Sequence, residues 1–155
     1  MIWLTSTIIT CTANQNESEA MLKVFVDTAA WIALIDNADG LHFRAQQVMN
    51  ALRQQKAQLV TTEFVLLEVA NALAAPAMRA KTVAFITGLR HSPILQIIPA
   101  SQTLLTEGWT LYSQRPDKGW SLTDCASFVV MTRDQITQAF TSDHHFEQAG
   151  FAKLL

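Results

Sequence analysis

The chain has 155 residues, half of them apolar and only 15% charged, against about a quarter charged in an ordinary soluble domain. That length fits one domain with a sizeable core, its apolar content excludes disorder, and 5 Gly and 4 Pro exclude collagen-like and low-complexity chains. The 11 basic and 13 acidic residues, a net of −2, exclude a protein that holds nucleic acid by bulk electrostatics but leave nucleic acid open as a substrate.

Residues 1–20 are Thr/Ser/Asn-rich and lack Lys and Arg. They read as an N-terminal extension, poorly ordered or the product of an upstream start codon with Met21 as the true first residue; a mass measurement decides. Met1 to Leu4 offer neither the basic start nor the long apolar centre of a signal peptide. An edge strand through Ile8 and Ile9 is the alternative. Domain-like patterning runs over residues 21–155.

Val24-Phe25-Val26 is β-branched and aromatic and stops at Asp27, as a buried strand does. Thr28 to Ile35 is spaced for a helix, and Asp36 to Gly40 for a loop. A second helix has Phe43, Val48, Met49 and Leu52 at helical spacing, with Arg44, Gln47 and Arg53 polar between them. Leu59-Val60 is a second strand, followed from Thr62 by a helix to about Ala75; Pro76 suits the first turn of the next, which ends near Gly88.

Ile94 to Ile98 is a third strand, and Ser101 caps a helix through Leu104, Leu105, Trp109 and Tyr112. Arg115 to Gly119 break the pattern, and helix returns over Leu122 to Thr132. Ile136 to Phe140 form the fourth strand, Asp143 to about Gln148 a short helix, and Ala152 to Leu155 a last edge strand. Such alternation implies an α/β sandwich around a mostly parallel sheet, with ligands at the carboxyl ends of the strands. No apolar run reaches the ~18 residues of a membrane span. Cys11 and Cys125 have no CxxC or His partner, so both read as free thiols of a reducing cytoplasm.

Because charge is scarce, the positions of the acids are informative. Asp27 and Asp143 close strands, Asp124 begins a helix, and Glu68 sits among Leu66, Leu67, Val69 and Ala70. Acids converging on one strand-end rim repel one another, and a divalent metal with oxygen ligands, Mg²⁺ or Mn²⁺, is the usual remedy. Each acid also has a structural reading. Asp27 and Asp143 suit helix N-caps, Ser121-Leu122-Thr123-Asp124 fits a capping box, and Glu68 could turn to the surface.

Taken together, four blocks resemble the PIN-domain nucleases, and among them the VapC-type toxins of toxin–antitoxin pairs. These are Val24-Phe25-Val26-Asp27-Thr28, Thr61-Thr62-Glu63 through Glu68 to Asn71, Ser121-Leu122-Thr123-Asp124-Cys125, and Thr141-Ser142-Asp143-His144-His145-Phe146. The resemblance spans Met21 to Leu155. It implies a three-layer α/β/α sandwich with a five-stranded sheet and a Mg²⁺- or Mn²⁺-dependent endoribonuclease leaving a 5′-phosphate and a 3′-hydroxyl. Asp27, Glu68 and Asp124 would be the main metal ligands, Asp143 the fourth acid, Thr141 the hydroxyl before it, and Asn71 a supporting hydrogen-bonder one turn beyond Glu68. It also implies an RNA substrate, an antitoxin partner and a homodimer.

Arg115 and Lys118 are candidates for the RNA backbone, with a solvated loop as the alternative. Trp120 could stack on a base or pack in the core. Arg79, Lys81 and Arg90 could extend a basic rim. His144 and His145 read as surface residues at a helix start, with contact to substrate phosphate as the alternative, and Trp31 and Trp109 as core or dimer-seam residues. A haloacid-type phosphatase also begins with a strand-end Asp but needs another two positions on, where this chain has Ala29. Two other readings stay open: a PIN-fold module that binds RNA or protein without cutting, and a nuclease with no antitoxin.

Overall fold

The computed structural model describes residues 21–155; the expectations for residues 1–20 and for Cys11 fall outside the described residues. Twelve elements follow in chain order: β1 (Lys23–Val26), α1 (Thr28–Ile35), α2 (His42–Gln54), β2 (Gln58–Thr62), α3 (Glu63–Ala72), α4 (Pro76–Arg90), β3 (Leu95–Ile98), α5 (Gln102–Gln114), α6 (Leu122–Arg133), β4 (Gln138–Phe140), α7 (His144–Gln148) and β5 (Ala152–Lys153). All strand pairings are parallel, in the order β3-β2-β1-β4-β5. The expected α/β sandwich is therefore the observed one.

Central β1 explains its own sequence. Val24, Phe25 and Val26 are fully buried, as a parallel strand covered on both faces requires, so the run is continuously apolar rather than alternating. Right-handed crossovers place α1 to α4 on one face of the sheet and α5 to α7 on the other, in keeping with the packing of α1 on α2 and α4, and of α6 on α5 and α7. The direction of winding reverses between β1 and β4, so their carboxyl ends open a crevice. This reversal puts residues 27 and 141–143 at one mouth.

Local sequence sets the ends of the helices. Thr62 and Ser101 cap α3 and α5, their hydroxyls accepting from the Val65 and Leu104 N–H, and Pro76 opens α4. The α3 helix stops at Ala72, three residues before the expected Ala75, because the residue before a proline is pushed out of helical geometry and the chain must leave the helix ahead of it.

Phe43 departs from expectation: it is 70% exposed. The buried stripe of α2 is Ala45, Met49 and Leu52, and at ~100° per residue Phe43 lies on the opposite side from Ala45. Trp31 is buried and hydrogen-bonds Thr61, whose hydroxyl in turn donates to the Val26 carbonyl. Trp109 is 57% exposed, stacked on Tyr112 with ring centroids 5.6 Å apart, and so is no core residue.

Helix α6 is buried almost all round, from Asp124 to Met131. It packs so closely on α5 that a Cβ at Gly108 would stand 3.2 Å from the Ala126 backbone. Cys125 is buried and free. No helix among the described residues is long and apolar enough to cross a membrane.

Candidate metal centre

The crevice at the β1 and β4 ends is a cleft of about 360 Å³ lined by Asp27, Thr28, Ala29, Ile32, Glu68, Gly119, Ser121, Asp124, Asp143 and His145. All four singled-out acids border it, carried there by the end of β1, the middle of α3, the first turn of α6 and the residue before α7.

Asp27 stands at the N-cap position of α1, but its carboxylate makes no cap bond. Its Oδ2 instead accepts the Thr141 hydroxyl at 2.8 Å, and the same hydroxyl oxygen accepts the Asp143 N–H at 3.0 Å. Thr141, wholly buried, thus fastens the acid after β1 to the chain after β4. Burial pushes the Asp27 carboxyl up to about 7, the Thr141 bond opposing it and the Asp124 carboxylate adding to it.

Asp124 has both of the roles its sequence allowed. It completes the capping box with Ser121, its Oδ2 accepting the Ser121 N–H at 2.7 Å while the Ser121 hydroxyl accepts the Asp124 N–H at 3.0 Å. It also faces the cleft, where burial raises its pKa above the carboxylate norm and the Asp143 charge raises it further. Asp143 caps α7 through Oδ1, which accepts the His145 N–H at 2.9 Å. Glu68 is half-buried, its Oε2 accepting the Thr28 hydroxyl at 2.6 Å.

Thr28 is a site residue that sequence reasoning missed; its one available signal was its place directly after Asp27. His145 corrects the surface reading given to both histidines. His144 is exposed, whereas His145 lines the cleft, because fully buried Phe146, packed on Phe25 and Phe128, turns its neighbour inward.

Asn71 is not brought to the acids. It is exposed and borders a separate groove with Arg79, Thr82 and Ile86. Arg79, Lys81 and Arg90 are occupied by the Ala74 carbonyl, Asn37 and Glu63 respectively. Arg115 and Lys118 line a pocket of about 410 Å³ with Trp109, Tyr112 and Trp120, and Gly119 is common to that pocket and the acidic cleft. Arg115 forks onto Asp117 at 2.9 and 3.0 Å and lies 4.8 Å from the Trp120 ring centre. Trp120 itself is buried against Phe128.

The donor set fits a hard divalent cation. Four carboxylates share one small cleft, and two of them, Asp27 and Asp124, are raised above the ordinary range first by burial and then by a neighbouring carboxylate. Oxygen donors of this kind suit Mg²⁺ or Mn²⁺.

The sequence matches the family model described as PIN domain over residues 24–152. It is 26% identical over 131 residues to the 23S rRNA-specific endonuclease VapC20 of Mycobacterium tuberculosis, covering 84% of this chain and 97% of that one. The crystal structure of M. tuberculosis VapC20, described as a sarcin-ricin loop cleaving toxin, superposes with a TM-score of 0.73 at 27% identity, covering 83% and 96% of the two chains. FitAcB from Neisseria gonorrhoeae and DNA-bound VapBC from Salmonella typhimurium share the fold at 14% identity, with TM-scores of 0.61 and 0.57; they cover 84% and 86% of this chain and 95% and 97% of those.

Proposed function

The chain belongs to the PIN-domain family, and on that footing we propose that it is a metal-dependent endoribonuclease, the toxin of a toxin–antitoxin pair. The observation that carries this reading is the convergence of Asp27, Glu68, Asp124 and Asp143 on one cleft. Its similarity to a 23S rRNA-specific endonuclease makes ribosomal RNA the first substrate to test.

The four acids would hold the metal, Mg²⁺ or Mn²⁺. When bound, such a cation neutralises the phosphodiester and acidifies a water for attack. The rest of the work belongs to the chain. Thr28 fixes the Glu68 carboxylate and Thr141 that of Asp27, so neither acid must be ordered when the cation arrives. The Ser121 N–H holds Asp124 and leaves its remaining lone pairs for the cleft. Arg115 and Lys118, one glycine away from the cleft, contact the RNA backbone as it enters.

A small antitoxin protein is the partner, supported by the fold shared with FitAcB and VapBC. The exposed apolar residues Leu105, Trp109 and Tyr112 along α5 supply a seam for a homodimer. The protein acts in the cytoplasm, where RNA and antitoxin are both available.

The test is incubation of the purified protein with RNA and Mg²⁺ or Mn²⁺. Cleavage giving 5′-phosphate ends, abolished by EDTA and by Asp27→Asn or Glu68→Gln, is expected. An intact RNA, or cleavage indifferent to EDTA and to both substitutions, refutes the reading. Growth arrest on expression, relieved by a neighbouring short gene, tests the toxin assignment separately.

A further inference from the structure

We propose that His145 is a ligand of the metal centre, its Nδ1 binding beside Asp124 and Asp143, and that this nitrogen biases the cleft toward transition-metal ions such as Mn²⁺ over Mg²⁺. The inference rests on the acidic cleft being a metal site, and adds a donor of a different chemical kind to the four carboxylates.

The His145 Nδ1 is buried with no hydrogen-bond partner among the described residues, a condition that is unfavourable when nothing offsets it. Two carboxylate oxygens face it, Asp124 Oδ2 at 3.5 Å and Asp143 Oδ2 at 3.4 Å. Neither contact meets hydrogen-bond geometry, and a neutral imidazole presenting its Nδ1 lone pair to two carboxylates is repelled by both. A cation bound at Nδ1 and one of these oxygens removes the repulsion between them. With metal–donor bonds of about 2.0–2.2 Å, donors in adjacent coordination positions stand roughly 3–3.5 Å apart, as Nδ1 stands from each of the two oxygens.

The backbone that carries the ring is fixed. The His145 N–H is tied to Asp143 Oδ1, and the next residue, Phe146, is locked in the aromatic core. The opposite edge of the ring, Nε2, faces Gly119, where a Cβ would lie 3.6 Å away. His144 differs. Its ring is exposed, although its Nδ1 lies 3.4 Å from Asp143 Oδ1 and within one cluster with Asp143 and His145. The other two of the chain's 4 histidines are occupied elsewhere, His42 by the Ala33 carbonyl and His91 by the Thr87 carbonyl. Imidazole nitrogen is a borderline donor that strengthens binding of first-row transition ions, whereas Mg²⁺ keeps to oxygen.

The experiment uses the whole purified chain stripped with EDTA and titrated calorimetrically with MnCl₂ or MgCl₂; the Mn²⁺-loaded protein is then examined by pulsed EPR for ¹⁴N coupling. Wild type and His144→Ala should show nitrogen coupling to Mn²⁺, and His145→Ala and His145→Gln should not. Both His145 variants should bind Mn²⁺ about tenfold or more weaker while their Mg²⁺ affinity changes less than about threefold. Mn²⁺ bound without nitrogen coupling, coupling that survives both His145 substitutions, or no Mn²⁺ binding at all overturns the assignment. RNA cleavage is scored apart. Protein that shows the coupling yet leaves RNA intact refutes the nuclease reading alone, and protein that cuts RNA with Mn²⁺ but shows no coupling refutes the role of His145 alone.

Discussion

Asp27→Asn should make the metal-free protein more stable, and only at pH values where wild-type Asp27 carries a charge. Burial lifts the Asp27 carboxyl from 3.8 to about 7, so folding favours its protonated form. Below pH 3.8 the side chain is protonated in both folded and unfolded chains and contributes nothing. As pH rises toward 7 the unfolded chain releases a proton that the fold retains, so stability falls through this window and levels off above it. At about 1.36 kcal/mol per tenfold in proton affinity, the penalty reaches at most roughly 4 kcal/mol. Asparagine is nearly isosteric, carries no charge, and its carbonyl can still accept the Thr141 hydroxyl. Urea unfolding in EDTA at pH 4 and pH 8 measures the effect: almost no gain at pH 4, and a gain of roughly 2–4 kcal/mol at pH 8. Added Mg²⁺ should close much of this gap, stabilising wild type by about 2.7 kcal/mol at a hundredfold excess over Kd and the variant far less. A variant no more stable than wild type at pH 8 would show that the cleft solvates the Asp27 charge, and the argument from burial would fail.

Thr28→Val removes the hydroxyl that holds Glu68; metal affinity and cleavage should drop about tenfold or more while the circular dichroism spectrum stays unchanged. Gly108→Ala puts a methyl 3.2 Å from the Ala126 backbone, forcing α5 and α6 apart, and should cost roughly 1–3 kcal/mol in denaturant unfolding despite the better helix propensity of alanine. Combined Arg115→Ala and Lys118→Ala should raise KM for RNA with kcat little changed and reduce the salt dependence of binding by up to about two phosphate contacts; an unaltered KM would assign Arg115 to its Asp117 pair alone.

The α/β alternation and the approximate position of every described element were legible in the sequence. Those features follow from local rules: Val24 to Val26 suit a buried strand, Pro76 suits the first turn of a helix, and Ser121 with Asp124 writes its own cap. The expectation that ligands gather at strand ends came from the same alternation, since parallel strands all point one way. The position of Phe43 was legible too, had its angle to Ala45 been counted.

Other features depended on which residues far apart in the chain become neighbours. The 2.8 Å bond from Thr141 to Asp27 joins residues separated by 114 positions, and the burial that raises the Asp27 pKa comes from segments distant in the chain. Asn71 lies one helical turn from Glu68, yet that turn carries it to another groove. On α7, with Phe146 buried in the core, His145 faces the acids and His144 the solvent. The sequence by itself determined the kind of fold and the chemical types available to a site, because propensity, capping and hydrophobic period act over a few residues. Which carboxylates are charged, which hydroxyls hold them and which histidine joins them was decided by tertiary packing, because desolvation and side-chain contact exist only once distant segments meet.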